Sequence, residues 1–131
     1  MVVLDSDLLV GILRNNEEAV SKMEKLEKEG EKLQTTVINT FELFEGALLH
    51  PKPDETTAKV EFLIRALDIF VFNQHASRMA AEISAELRRK GTIIDFQDIS
   101  IAAIALSNNE KIVTRNIKHF SRIKNLRIEK W

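Results

Sequence analysis

Asp5 closes the apolar run Val2-Val3-Leu4, and Glu42 stands inside the stretch Thr40-Phe41-Glu42-Leu43-Phe44-Glu45-Gly46. Asp95 and Asp98 lie at the mouth of a third apolar run, Ile99-Ser100-Ile101-Ala102-Ala103-Ile104-Ala105-Leu106. Acids this far apart in the chain, each at a strand end or a helix start, point to one shared pocket, because open parallel sheets bind ligands at the carboxyl ends of their strands. Several carboxylates in one pocket repel one another unless a cation neutralises them. Hard oxygen donors of this kind select Mg²⁺ or Mn²⁺. The chemistry these residue types would serve is metal-dependent attack on a phosphate ester.

The elements that must position these acids can be read from the pattern of apolar residues. Val2 to Leu4 reads as a short buried strand, and Asp5-Ser6-Asp7 supplies N-cap side chains for a helix over Leu8 to Leu13. Glu17 to Glu29 reads as a charged helix with Ala19, Val20, Met23 and Leu26 toward the core, ended by Gly30. Leu33 to Ile38 is expected as the second strand and Thr40 to Leu49 as a helix. On that helix Phe41, Phe44 and Leu48 share one side, and Glu42, Glu45, Gly46 and Leu49 another. Pro51 and Pro53 enforce a loop, and Asp54 is placed to cap a helix to about Leu67. Ile69 to Phe72 reads as the third strand. His75 to Lys90 reads as an amphipathic helix with the stripe Ala76, Met79, Ala80, Ile83 and Leu87, stopped by Gly91. Asp95-Phe96-Gln97-Asp98 resembles an N-cap box opening a helix to Leu106. Lys111 to Thr114 is a fourth strand and Leu126 to Trp131 a fifth, at an edge. Alternating strands and helices imply an α/β fold of three layers, helix-sheet-helix, with a mainly parallel central sheet of about five strands.

The chain reads as one domain over residues 1–131, long enough for a proper hydrophobic core. No apolar stretch approaches the ~20 residues of a membrane span. Met-Val-Val-Leu-Asp lacks the basic start of a secretory signal. The absence of cysteine excludes disulfides and thiolate metal sites and fits a reducing compartment, the cytoplasm. A formal net charge of -1 and pI near 6.3 argue against gripping nucleic acid by charge alone. They do not argue against a nuclease, whose site acids offset cations elsewhere.

The ordered set of short stretches resembles the PIN-domain family, and within it the VapC-type toxin ribonucleases. The matching pieces are Val2-Val3-Leu4-Asp5, Thr40-Phe41-Glu42-Leu43 ending in Gly46, and Gly91 followed by Ile94. Asp98 with the run from Ile99 to Leu106, and Val113-Thr114-Arg115-Asn116-Ile117-Lys118-His119-Phe120, complete them. The resemblance spans the whole chain. It implies a PIN fold in which Asp5, Glu42 and Asp98 are the three core acids that bind Mg²⁺ or Mn²⁺. A fourth acid is common in the family where this chain has Asn116, so a strongly bound second metal is not implied. Asp95 is either a ligand through water or, as residue type and position favour, an N-cap. The resemblance further implies RNA as substrate, a cognate antitoxin laid into a groove near the site, and a homodimer.

Other polar residues carry two readings each. Thr40 either caps its helix or holds the Glu42 carboxylate. Gly46, one turn below Glu42, either admits a close approach or relieves crowding against the sheet. Thr114, Arg115 and Asn116 either contact phosphate or fix Asp5, with turn formation the plain alternative for Asn116. Arg88, Arg89 and Lys90 suit a helix C-terminus, with phosphate binding the secondary reading. His50, His75 and His119 are given no catalytic role. Two rival functions stand beside the toxin: a PIN nuclease of RNA processing or decay, and a non-catalytic PIN-like module that binds RNA or protein.

Overall fold

Val2, Val3 and Leu4 are all fully buried, as a strand covered on both faces must be. They form β1 (Val2–Leu4) at the centre of the computed structural model, which describes residues 1–131. In chain order there follow α1 (Ser6–Leu13), α2 (Glu17–Lys28), β2 (Leu33–Thr36), α3 (Val37–Leu48) and α4 (Pro53–Ile64). The second half holds β3 (Asp68–Phe70), α5 (Gln74–Arg89), α6 (Phe96–Ser107), β4 (Lys111–Thr114), α7 (Ile117–Phe120) and β5 (Ile128–Lys130). The sheet has five strands, all parallel, in the order β3-β2-β1-β4-β5.

Two apolar layers sandwich this sheet. Leu8, Leu9, Ala19, Leu26, Leu43, Ala47 and Val60 bring α1 to α4 against Val2, Leu4 and Val113. Ala80, Leu87, Ile99, Ala102, Ala103 and Phe120 bring α5, α6 and α7 together with Ile112, the strand neighbour of Val113. Adjacent β4 residues point to opposite faces, so the two clusters lie on opposite sides. The expected three layers are thus present. Gly11 permits the tight approach of α1 to α2: a Cβ there would sit 2.7 Å from the Cβ of Ala19.

The chain winds from β1 outward to β2 and β3, then returns to the other side of β1 to lay down β4 and β5. The winding direction therefore reverses between β1 and β4, which run in register with Leu4 opposite Val113. At such a reversal the connections leave in opposite directions and open a crevice at the strands' carboxyl ends. Asp5 follows β1 there and Thr114 ends β4.

Several boundaries differ from expectation. Val37 and Ile38, read as strand from their β-branched side chains, are the first residues of α3. The cause is Thr36, whose Oγ1 accepts hydrogen bonds from the Ile38 and Asn39 backbone N–H groups and starts the helix early. Thr40 is accordingly not a cap: it lies inside α3 and its hydroxyl donates to the Val37 carbonyl at 2.9 Å. The α4 helix begins at Pro53 and ends at Ile64, with Asp54 in its first turn rather than at its cap. Asp95 occupies the N-cap position of α6, but its side chain makes no capping hydrogen bond. The buried stripe of α3 is Asn39, Leu43 and Ala47, leaving Phe41 and Leu48 exposed.

Candidate active site

Asp5 caps α1, with Oδ1 accepting from the Ser6 N–H at 2.8 Å. Across the reversal point Thr114 donates from Oγ1 to Asp5 Oδ2 at 2.7 Å. From α3 the fully buried Asn39 divides its amide hydrogens, one to Asp5 Oδ1 at 3.0 Å and one to Ser6 Oγ at 2.9 Å. Thr36 orients Asn39 by donating to its Oδ1 at 2.8 Å. Ser6 passes the chain on, donating from Oγ to Glu42 Oε1 at 2.7 Å. Asn39 and Glu42 are three apart on α3 and so share a face. One continuous set of hydrogen bonds therefore runs from Thr36 through Asn39 and Ser6 to both Asp5 and Glu42.

Asp98 enters from the first turn of α6, where the helix dipole favours a negative charge. Its Oδ2 lies 2.9 Å from His119 Nδ1 and 3.3 Å from Asn116 Nδ2. A further carboxylate, Asp7, stands beside the site. Its Oδ2 accepts from the Arg115 N–H at 2.8 Å and lies 3.2 Å from Thr114 Oγ1, and its Oδ1 accepts from the Trp131 indole at 2.9 Å.

Charge and burial oppose each other here. Burial pushes the Asp5 carboxyl up to about 7; the neighbouring charges of Asp7 and Glu42 add to the rise, and the bonds from Thr114 and Ser6 offset part of it. Glu42 is also raised, first by burial, then by the charges of Asp98, Glu45 and Asp7, against the bond from Ser6. Asp7 and Glu42 thus act on Asp5, and Asp98 and Asp7 on Glu42, although these acids come from three different helix starts or faces.

The donor set suits a hard cation. Glu42 Oε2 and Asp98 Oδ1 have no protein partner, and their sister oxygens are held by Ser6, Asn116 and His119. As the side chains stand, no group of three or more His, Cys, Asp or Glu forms a ready-made metal site. Mg²⁺ does not require one, since it keeps several of its own waters and uses one or two carboxylates.

The remaining sequence candidates fall elsewhere or into a supporting position. Asp95 is exposed and makes no hydrogen bond to another side chain. Thr40 touches no carboxylate. Arg115 turns away from the acids: its guanidinium lies 3.6 Å above the Trp131 ring and pairs with Glu18. Thr114 fixes Asp5, and Asn116 faces Asp98. Arg88 and Arg89 sit in the last turn of α5, and Lys90 caps it and pairs with Glu86. A Cβ at Gly46 would meet nothing within 4 Å, and the exposed glycine lines a cavity of about 450 Å³ beside Glu42, with Arg14, Ala47 and Lys59.

Sequence reasoning passed over Ser6, Asp7, Asn39 and His119 as site residues. Asn39 was legible in principle, three residues before Glu42 on one helix face. Contacts such as His119 with Asp98, 21 positions apart, have no local signature.

Fold and site together define an α/β protein with an acidic pocket at the switch point of a parallel sheet. Residues 2–126 match the PIN domain family. The chain is 31% identical to the tRNA(fMet)-specific endonuclease VapC of Salmonella typhimurium, over 98% of this chain and 96% of that one. It is 29% identical to ribonuclease VapC2 of Rickettsia felis over the same shares. Among solved structures it superposes on VapBC2 from Rickettsia felis, bound to a DNA fragment from its promoter, with a TM-score of 0.91, covering 100% of this chain and 99% of that one at 29% identity. The chain belongs to the PIN-domain family and, within it, to the VapC ribonucleases.

Proposed function

We propose that this endoribonuclease is the toxin of a toxin–antitoxin pair and that Asp5, Glu42 and Asp98 hold Mg²⁺ or Mn²⁺ at its catalytic centre. The observation that supports this most is the convergence of the three acids at the reversal point, with Asp5 and Glu42 raised by burial and mutual repulsion. A bound divalent cation supplies an acidified water and neutralises charge on the scissile phosphate. The chain's own residues do the rest. Asn39, Ser6 and Thr114 fix the Asp5 and Glu42 carboxylates in place. His119 and Asn116 face Asp98. Asp95 stands outside this set. Attack by water on RNA of this kind leaves 5′-phosphate and 3′-hydroxyl ends and needs no 2′-hydroxyl.

A cognate antitoxin is the expected partner, because a solved assembly from Salmonella typhimurium, 31% identical to this chain, is a DNA-bound VapBC complex. The cavity between α1, α3 and α4, with Val10, Leu13, Ala47 and Val60 in its wall and the exposed Leu48 nearby, suits an apolar segment of that partner. A homodimer in the cytoplasm completes the reading, and no helix is long and apolar enough to cross a membrane.

The test is cleavage of an end-labelled structured RNA pool that includes initiator tRNA, by wild type and Asp98→Asn freed of co-purifying partner, with Mn²⁺ and with EDTA. Cutting by wild type alone, with metal alone, to 5′-phosphate ends is the expected result. RNA retained in EDTA and left intact with Mn²⁺ would replace the nuclease by a binding module.

A further inference from the structure

We infer that His119 is a positioning residue for Asp98: its Nδ1–H holds Oδ2 so that Oδ1 is presented to the cation. The inference rests on the metal site proposed above. A carboxylate oxygen accepts hydrogen bonds and donates none when ionised. An unprotonated imidazole nitrogen 2.9 Å from Asp98 Oδ2 would set two lone pairs against each other, so Nδ1 carries the proton. The same assignment settles the contact of 3.2 Å between Asn116 Nδ2 and His119 Nδ1. Both are donors, so neither bonds the other, and both point at the one acceptor between them, Asp98 Oδ2.

This pair does for Asp98 what Ser6 does for Glu42: it fixes one carboxylate oxygen and leaves the other without a protein partner. The geometry follows from the local fold. Asn116 is the N-cap residue of α7 and His119 stands three residues on, so both side chains lie on the face that meets α6. Phe120, fully buried in the α6 and β4 cluster, anchors that short helix and with it the ring. His119 is itself half-exposed and its Nε2 has no protein partner, so Asp98 Oδ2 is the one acceptor its ring nitrogens reach. Where a carboxylate ligand is oriented by an outer hydrogen bond, loss of that bond weakens metal binding about 10–100-fold.

The test has two arms. ¹⁵N NMR of the metal-free protein at pH 8.5, above the ordinary imidazole range, reads the His119 tautomer directly. The expected signal is the Nδ1–H form, reverting toward Nε2–H in Asp98→Ala; an Nε2–H form in wild type overturns the inference. The second arm is Mn²⁺ titration followed by electron paramagnetic resonance. His119→Ala should bind Mn²⁺ about 10–100-fold more weakly, whereas His119→Asn, whose amide N–H can replace Nδ1–H, should recover most of that loss. Equal weakening in both variants, with unchanged thermal stability, means that the ring rather than the donor matters and overturns the inference. Wild type that shows the Nδ1–H form yet binds no Mn²⁺ overturns the metal-site reading itself. That result is distinct from a loss confined to the His119 variants.

Discussion

The two ends of the sheet treat charge in opposite ways. Toward the strand starts, Lys111 bridges Glu129 at 2.9 Å and Glu31 at 3.4 Å, and Lys22 also pairs with Glu129. Burial raises Glu129, but its bonds to Lys22 and Lys111 outweigh that and hold it below the ordinary glutamate range. Lys111 is raised, chiefly by its bond to Glu129. At the carboxyl ends Asp5 and Glu42 have no cation beside them, receive only neutral donors and are raised. One end is charged in a way that supports folding. The other is charged in a way that opposes it, and such an arrangement persists where a ligand completes it.

The sharpest way to expose this difference is through pH. Asp5 has a raised folded value, so the unfolded chain releases its proton first, between its ordinary 3.8 and about 7. Over that window the native state binds more protons, and stability falls as pH rises. The full loss is about 4 kcal/mol for a metal-free protein taken from pH 4 to pH 8, at about 1.4 kcal/mol per pKa unit. Urea unfolding should show it, and Asp5→Asn should flatten most of the slope. The asparagine can keep the pattern: its Oδ1 still accepts from Ser6 and Asn39, and its amide donates to Thr114, whose hydroxyl turns to Asp7. A wild-type slope that survives in Asp5→Asn would place the effect elsewhere.

Thr114→Val comes next. It strips a buried hydroxyl that donates to Asp5 and accepts from the Asn116 N–H at 2.9 Å. The expected cost is about 1–3 kcal/mol of stability, accompanied by weaker Mn²⁺ binding. At the other end of the sheet, Lys111→Ala should cost only about 1 kcal/mol, since its partners are partly solvated. That cost should shrink as pH falls and Glu129, held low in the fold, finally takes up its proton. Cleavage should be unchanged, and a loss of cleavage would undo the separation of the two ends. The smallest change is Gly46→Ala. With nothing within 4 Å of the new Cβ, it should raise stability by about 0.5–1 kcal/mol through helix propensity alone. A fall in Tm would show that the open side of α3 is more constrained than it looks.

Much of the frame was legible because it is local. The buried run of β1, the stripe of α5 and the stop at Gly91, whose φ is +72°, follow from period and residue type. Val37 and Ile38 misled because their β-branching suits a strand, whereas the Thr36 hydroxyl decides where α3 begins. The four-residue α7 is too short to leave a periodic trace. In the candidate site the three acids stood out by type and placement. Their supports did not, because Ser6 meets Glu42 across 36 positions and Thr114 meets Asp5 across 109. Asp95 was a false candidate for a cap bond: it has the right position and backbone, but its side chain bonds no helix N–H.

On the function proposed above, the uncompensated acids at the carboxyl ends await a divalent cation. Calorimetric titration of the partner-free protein with Mn²⁺ at pH 7, in buffers of different ionisation enthalpy, tests it most directly. A ligand carboxylate must be deprotonated to bind, and burial holds the Asp5 carboxyl well above the ordinary range. Wild type should therefore release protons on binding Mn²⁺ at pH 7 and fewer at pH 9. Asp5→Asn should bind far more weakly and release fewer protons than wild type at pH 7. Binding of equal strength and equal proton release in wild type and Asp5→Asn, or no binding by wild type at either pH, would contradict the account.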